Sequence, residues 1–205
     1  MKAAIIDYDA GNLANVYRAA RRAGIDAFIT RDAKAIREAD ALILPGVGAM
    51  GDAMDHLNAY GLTGLIQDEV KKGKKLVGIC LGMQAFFDYS EEGGHVESLG
   101  LIPGAIVRFP EGALKVPHMG WNELVFRKDH WLRTGLPEHA YVYFVHSYYK
   151  APTDSDDVIA TASYGVDVPA VVGKGNVLGL QFHPEKSGPV GEKMWDNIAE
   201  WFGKR

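Results

Sequence analysis

The chain of 205 residues is 47% hydrophobic, which is enough apolar material for one buried core and predicts a single domain over residues 1–205. The formal net charge is −4 with no long run of one sign, which excludes the basic surface that binds a nucleic-acid backbone. The single cysteine, Cys80, cannot form an internal disulfide, so we expect a protein of the reducing cytoplasm.

The first half of the chain alternates short apolar runs with helical patterns. Strands are predicted over residues 2–7, 25–30 and 41–44, and helices up to residue 23 and over residues 32–39, the second with Asp32 near its N-cap. Short connections between such units force parallel strands with helices on both faces, which predicts a doubly wound α/β sheet. No apolar run is long enough for a signal peptide or a membrane span, so we expect neither.

An apolar run leads directly into the single cysteine. Residues 76–79 predict a buried fourth strand, and residues 81–89 continue with a helical pattern. Gly78 and Gly82 flank Cys80 at two residues on either side, which is typical of a nucleophile elbow, where strand and helix approach so closely that only small residues fit. The alternative is a cysteine that merely fills the core. The symmetric glycines favour the elbow.

Short β-rich runs replace the helical patterns after a polar loop at residues 90–94. The predicted strands cover residues 105–109, 121–126, 140–148, 158–163, 169–174 and 176–181. A turn at residues 173–176 would join the last two as a hairpin, and a final amphipathic helix is predicted over residues 188–202. The chain therefore combines a parallel half with a mixed or antiparallel half, and chemistry is expected at the carboxyl ends of the parallel strands.

A cysteine nucleophile needs a base, and His183 is the best candidate among the seven histidines. It follows the predicted strand 176–181, and Pro184 restricts its backbone. We predict that Glu185 orients the ring while the other ring nitrogen faces the Cys80 thiol. Without the cysteine elbow, the sequence His183-Pro184-Glu185 would be more typical of a turn at the end of a strand. A metal site is excluded because one cysteine and no paired histidine spacing leave too few ligands.

Two motifs carry a resemblance to a known family. They read Gly78-Ile79-Cys80-Leu81-Gly82-Met83-Gln84 and His183-Pro184-Glu185. Together they resemble the class I, triad-type glutamine amidotransferases, and the likeness runs along essentially the whole chain. It implies that family's flavodoxin-like α/β fold. Within the family, the segments 7–12, 45–48, 117–122 and 143–148 are similar to the histidine-biosynthesis branch, the glutaminase subunits of imidazole glycerol phosphate synthase.

The resemblance implies a role for each matching residue. Cys80 would attack the side-chain amide of glutamine, His183 would transfer the protons, and Glu185 would orient His183. The backbone N–H groups of Val47 and Leu81 would form the oxyanion hole. The residues implied to hold the glutamine are Gly46, Gly48, Gln84, Glu92, His146, Ser147 and Tyr148. The resemblance implies no cofactor and no metal.

The resemblance also implies a protein partner, the (β/α)8 cyclase subunit of imidazole glycerol phosphate synthase, in a heterodimer. Free ammonia at neutral pH is mostly ammonium and no nucleophile, which gives a glutaminase a reason to pass ammonia directly to the enzyme that uses it. The residues implied at the docking face are Trp121, Asn122, Tyr143 and Lys186. For the two aromatic residues, ordinary strand packing is the alternative.

Other functions remain open from the sequence. A glutaminase subunit of another synthase, such as pyridoxal phosphate synthase, would carry the same triad. A related intracellular cysteine hydrolase would share the elbow, although those relatives commonly have histidine directly after the cysteine, where this chain has Leu81. A non-catalytic regulatory subunit is disfavoured because Cys80, His183 and Glu185 are all present.

Overall fold

The computed structural model describes residues 1–112 and 114–204. Within them the strands are β1 (Lys2–Ile6), β2 (Asp26–Thr30), β3 (Ala41–Leu44), β4 (Lys75–Ile79), β5 (Tyr89–Ser90), β6 (Val96–Glu97), β7 (Ala105–Arg108), β8 (His118–Phe126), β9 (Ala140–His146), β10 (Tyr148–Ala151), β11 (Val158–Ser163), β12 (Asp167–Lys174) and β13 (Val177–Leu180). The α-helices are α1 (Leu13–Arg22), α2 (Ala33–Glu38), α3 (Met50–Ala59), α4 (Leu62–Lys71), α5 (Leu81–Gln84) and α6 (Gly188–Gly203). None of these helices is both long and apolar enough to cross a bilayer.

The large sheet joins a parallel half to an antiparallel half. Its strand order is β2-β1-β3-β4-β13-β12-β11-β8-β9. Neighbours from β2 to β13 pair in parallel, and those from β13 to β9 pair antiparallel. This order confirms the predicted α/β class with its added antiparallel portion. A smaller sheet, in the order β10-β7-β5-β6, lies beside it.

Each face of the parallel half carries its own apolar core, because side chains alternate along a strand. On β1, Ala3 and Ile5 belong to the cluster that includes residues of α1 and α6. Ala4 and Ile6 belong to the opposite cluster, which includes residues of α2, α3 and α4. Helices thus cover both faces of the parallel strands, as the alternating sequence pattern predicts.

The register of the parallel strands brings distant segments to one edge. Leu44 of β3 pairs with Gly78 of β4, and Ile79 of β4 pairs with Leu180 of β13. The segments that follow these three strands therefore leave the sheet side by side. They contain residues 45–48, the cysteine and the histidine of the predicted triad.

The helix after the cysteine is shorter than predicted. A helix over residues 81–89 is wrong beyond Gln84, where α5 ends. The carbonyl groups of residues 85–87 instead accept hydrogen bonds from the N–H groups of residues 99–102 at 2.7–3.0 Å. These bonds replace the ones that a continuing helix would make, and the chain turns into β5.

The single strand predicted over residues 140–148 is also wrong. β9 ends at His146 in the large sheet, and Tyr148 begins β10 in the small one. Nδ1 of His146 lies 2.7 Å from the carbonyl oxygen of Tyr148, which closes a corner around Ser147. The predicted hairpin at residues 173–176 is confirmed by the antiparallel pairing of β12 with β13.

A fully buried lysine, Lys150, lies on β10 of the small sheet. Nζ of Lys150 lies 3.1 Å from the carboxylate of Asp157 and 2.8 Å from the carbonyl oxygen of Pro152. The side chain of Lys150 is inaccessible to solvent and that of Asp157 is 12% exposed. Removing one member of such a pair leaves the other charge buried without compensation.

Asp157→Ala is therefore expected to lower the free energy of unfolding by about 3–5 kcal/mol. Urea unfolding followed by circular dichroism measures the change. The matched control is Glu192→Ala, which breaks an ion pair with Arg22 whose side chains are 69% and 58% exposed, and which should cost less than about 1 kcal/mol. An Asp157→Ala midpoint equal to that of the control would contradict the structural importance of the buried pair.

Candidate active site

Cys80 occupies a strained corner between β4 and α5. Its φ is 53° and its ψ is −110°, a region that side-chain-bearing residues rarely adopt. A Cβ added to Gly78 would lie 2.3 Å from the ring of Phe86, and one added to Gly82 would lie 1.8 Å from the carbonyl oxygen of Leu44. Both glycines are thus required by close packing, and the corner has the geometry of a nucleophile elbow.

His183 is held from both sides of its backbone just after β13. Its N–H donates to the carbonyl of Tyr143 at 2.9 Å, and the hydroxyl of Ser187 donates to its carbonyl at 2.6 Å. Its ring Nδ1 lies 2.7 Å from Oε1 of Glu185. Since a carboxylate accepts, Nδ1 carries the proton. Within residues 1–112 and 114–204, Nε2 has no hydrogen-bond partner.

Opposing effects set the charge of this histidine. Burial lowers the pKa of His183, because a charged ring loses its hydration. The sulfur of Cys80 and the carboxylate of Glu185 outweigh this effect of burial, and the pKa of His183 rises from 6.5 to about 9. The carboxylate and the sulfur thus favour the charged form of the ring, as expected beside an activated cysteine.

Cys80 and His183 line the same cavity, which has a volume of about 390 Å³. Both residues predicted to form the oxyanion hole, Val47 and Leu81, line it as well. So do most of the residues predicted to hold glutamine, namely Gly48, Gln84, Glu92, His146, Ser147 and Tyr148. The fold therefore brings together residues that the sequence spreads over more than a hundred positions.

Gly46 is the predicted glutamine-binding residue that does not line this cavity. A Cβ added to it would lie 2.4 Å from the hydroxyl oxygen of Tyr8 and 2.9 Å from the backbone nitrogen of Gly82. The Tyr8 hydroxyl in turn donates to the carbonyl of Pro45 at 2.6 Å. Gly46 therefore lets the loop after β3 pack closely against the elbow. Gly48 adopts a φ of 102°, which favours glycine.

Two predicted glutamine-binding side chains are already anchored at the cavity. Nε2 of Gln84 donates to the carbonyl of Tyr148 at 2.9 Å and to the side-chain oxygen of Gln181 at 3.0 Å. Oε2 of Glu92 accepts from the N–H of Met50 at 2.9 Å, at the start of α3. Each side chain therefore presents its remaining oxygen from a fixed position.

Asn12 is a site residue whose role was not predicted from the sequence, although it lies in the motif 7–12. Its side-chain amide donates to Oε1 of Glu185, the oxygen that also accepts from His183. Asn12 has a φ of 74° in the turn after β1, and its Oδ1 accepts from Nδ2 of Asn15 at 2.7 Å. An asparagine at the carboxyl end of a parallel strand was the available signal.

An exposed apolar surface lies on β8 and on the neighbouring edge strand β9. It consists of Met119, Trp121, Val125 and Tyr141, each between 49% and 61% exposed, and is called the docking strip below. Tyr143 pairs across the strands with Trp121, and their ring centroids are 6.1 Å apart. Clusters of exposed apolar side chains on a folded protein commonly mark a binding surface.

Of the four residues predicted at the docking face, Trp121 belongs to the strip and Tyr143 packs against Trp121, whereas Asn122 and Lys186 lie apart from it. The amide nitrogen of Asn122 points inward, 2.9 Å from the carbonyl oxygen of Ser163 and 3.2 Å from Nε2 of His118. Lys186 is exposed in the turn after the triad, and its N–H donates to the carbonyl of His183 at 3.0 Å.

Known proteins resemble this chain in sequence and in fold. Residues 4–200 match the family model described as glutamine amidotransferase class-I. The chain is 51% identical to the imidazole glycerol phosphate synthase subunit HisH of Geobacillus sp. (strain WCH70), over 95% of this chain and 94% of the relative. It is 51% identical to the protein of the same name from Bacillus subtilis (strain 168), over 91% and 90%. A solved glutamine amidotransferase shares the fold, with a TM-score of 0.77 and 22% identity over 98% and 99% of the two chains.

Proposed function

The chain belongs to the class-I glutamine amidotransferase family, and from this premise we propose that it is the glutaminase subunit of imidazole glycerol phosphate synthase in histidine biosynthesis. Relatives of that name match it at about half of all positions over nearly its whole length. The observation that carries the chemistry is the cavity shared by Cys80, on its elbow, and His183, whose Nδ1 bonds to Glu185. We propose one glutamine amidotransferase domain over residues 1–205, working in the cytoplasm.

The triad would cleave glutamine in two steps. The thiolate of Cys80 adds to the side-chain carbonyl carbon, and the tetrahedral intermediate collapses to a thioester when His183 protonates the departing ammonia. A water molecule, deprotonated by His183, then adds to the thioester and releases glutamate and the thiol. Glu185 holds the ring so that Nε2 is the nitrogen that exchanges the proton.

The oxyanion of the tetrahedral intermediate needs hydrogen-bond donors. We assign this role to the backbone N–H groups of Leu81, directly after the nucleophile, and Val47, in the glycine-flanked loop after β3; both residues line the cavity. One donor of this kind lowers the barrier by about 2.7–4 kcal/mol. Gly48, Gln84, Glu92, His146, Ser147 and Tyr148 would surround the glutamine, with Gly46 acting indirectly through the loop.

We assign the partner surface to the docking strip, together with Tyr143 and Lys186. The proposed partner is the (β/α)8 cyclase, in a heterodimer that passes ammonia from one site to the other. The strip adjoins the cavity, because Val145 lines the cavity and pairs across the strands with Met119. Large aromatic side chains such as Trp121 are common anchors of protein interfaces.

Binding to the cyclase tests this assignment. Trp121→Ala is expected to weaken the heterodimer by at least about 2 kcal/mol, roughly a 30-fold increase in Kd, because the complex loses a tryptophan that the cyclase would bury. The matched control is Ile29→Ala on β2, at the opposite edge of the sheet, where the side chain is 41% exposed. Titration calorimetry that found equal Kd values for the two variants would exclude the strip as the interface. A wild-type chain that failed to bind the cyclase would exclude the proposed synthase.

Asn12→Gly is expected to lower kcat/KM for glutamine at least about tenfold, because Glu185 loses a charge-assisted hydrogen bond. Glycine tolerates the positive φ at this position, so the backbone is not strained. Asn15→Ala is the control. It removes the hydrogen bond that Asn15 donates to Oδ1 of Asn12 but leaves the hydrogen bond from Asn12 to Glu185. Steady-state rates of glutamate release by the heterodimer give the comparison. Equal losses in both variants would contradict a specific role for Asn12.

A further inference from the structure

A pair of buried histidines lies between the docking face and the glutamine cavity. Nδ1 of His118 is 3.0 Å from Nε2 of His146, and Nδ1 of His146 is 2.7 Å from the carbonyl oxygen of Tyr148. At the outer end, the amide nitrogen of Asn122 is 3.2 Å from Nε2 of His118. The row of hydrogen bonds therefore runs from Asn122 on β8, through the two histidines, to the corner between the two sheets.

The donor and acceptor properties of the groups determine the direction of each hydrogen bond in this row of side chains. A carbonyl oxygen only accepts, so Nδ1 of His146 must carry a proton. In a neutral ring its Nε2 then accepts, and the proton between the rings must lie on Nδ1 of His118. The remaining nitrogen, Nε2 of His118, accepts from the amide of Asn122. Both rings are thus in the Nδ1–H tautomer.

The surroundings hold the rings neutral and in place. The ring of His118 is stacked between Phe144 and Tyr164, with centroids 4.5 Å and 4.0 Å away and interplanar angles of 22° and 21°. Burial lowers the pKa of His118 to about 4 and that of His146 to about 3. A flip or a proton gain by either ring would break the donor chain.

His146 controls a corner of the proposed glutamine site. The carbonyl of Tyr148 accepts from both His146 and Gln84, and Ser147 lies between the two sheets with its carbonyl accepting from the N–H of Phe109 at 3.3 Å. Both ring nitrogens of His146 are already engaged, so the ring does not offer a hydrogen bond to glutamine. It acts by shaping the wall formed by residues 146–148.

We propose that His118 is a positioning residue for glutamine binding: it fixes the tautomer of His146 and so holds the corner 146–148 against the cavity. The proposal rests on the proposed glutaminase function of this cavity. The proposal also assigns a role to the inward-facing side chain of Asn122. Its amide makes the first hydrogen bond of the row, on β8, which also carries part of the docking strip.

The tautomers can be read directly from the full chain. Long-range proton–nitrogen correlation spectra of histidine-labelled protein at pH 7 distinguish the two neutral tautomers and the charged ring. We expect both His118 and His146 to be neutral with the proton on Nδ1. A proton on Nε2, or a charge, on either buried ring would overturn the proposal.

Two variants separate positioning from general stability. His118→Phe keeps an aromatic ring between Phe144 and Tyr164 but cannot donate to His146, so the glutamine KM of the heterodimer should rise at least about tenfold, with kcat changed less than about threefold. His118→Asn loses the stacking but keeps an N–H group at the position of Nδ1. Its KM should stay within about threefold of wild type even though its Tm is the lower of the two.

This opposite ordering of KM and Tm is the signature of positioning. A folded His118→Phe with the wild-type KM, or equal KM values in the two variants, would overturn the proposal. If His118→Phe does not fold, the tautomers of the wild-type chain decide the question. The function itself is judged separately, because a wild-type heterodimer that released no glutamate would refute the glutaminase and leave the tautomer result standing.

Discussion

Cys80→Ala is expected to reduce glutamine hydrolysis by the heterodimer by more than about 10⁴-fold, since removal of a catalytic nucleophile leaves only binding and oxyanion stabilisation. The substitution deletes a single sulfur from a side chain that is 6% exposed, so the fold should be retained. The cyclase should still use added ammonia at its normal rate, because the proposed division of labour gives the sulfur no part in that reaction.

The comparison of the two nitrogen sources makes this result specific. Turnover of the cyclase substrate would be measured with glutamine and with an ammonium salt, for the wild-type and variant heterodimers. Glutamine-dependent turnover within tenfold of wild type would mean that another group is the nucleophile. Loss of the ammonia-dependent reaction as well would contradict the proposed independence of the two sites.

Gly82→Ala is expected to disrupt the elbow itself, at a cost of at least about 3 kcal/mol in the free energy of unfolding. The new Cβ would lie 1.8 Å from the carbonyl oxygen of Leu44, so α5 and the end of β3 must separate. Separation would displace Cys80 from His183, and glutamine hydrolysis should fall with stability.

Gly51→Ala is the matched control for this prediction. Gly51 lies in α3, where an added Cβ meets nothing within 4 Å. Alanine is the better helix former by about 0.8–1 kcal/mol, so this variant should be as stable as the wild type or more so. Urea midpoints and glutamate release give both readouts. A Gly82→Ala variant that matched Gly51→Ala in both would show that close packing does not define the elbow.

Local patterns predicted the parts of the fold that local chemistry determines. The strand run before Cys80, the two flanking glycines and the alternation of the first half lie within short segments, and the structure places all of them as predicted. Asp32, predicted near an N-cap, accepts from the N–H of Ala35 at 2.8 Å. The pair of His183 and Glu185 within the candidate triad was also predicted locally, because these residues are two positions apart.

Contacts between distant segments explain what the sequence did not predict. The helix after the cysteine ends early because residues 99–102 supply competing donors to residues 85–87. The bond from Asn12 to Glu185 joins positions 173 residues apart, and the contact between His118 and His146 joins two strands. Single-segment patterns hold no information about such partners, which only the register of the sheet brings together.

The proposed function depends most directly on Cys80 as the nucleophile of a glutamine site. Mass spectrometry of the heterodimer after incubation with a diazoketone analogue of glutamine tests this, since the diazo carbon takes up a proton and the thiolate then displaces nitrogen gas and remains alkylated. We predict one adduct per chain, on the peptide that contains Cys80, formed more slowly in excess glutamine and absent from Cys80→Ala. Glutamine hydrolysis by a wild-type chain that stays unlabelled at Cys80, or is labelled elsewhere, would contradict the assignment of Cys80 as the nucleophile.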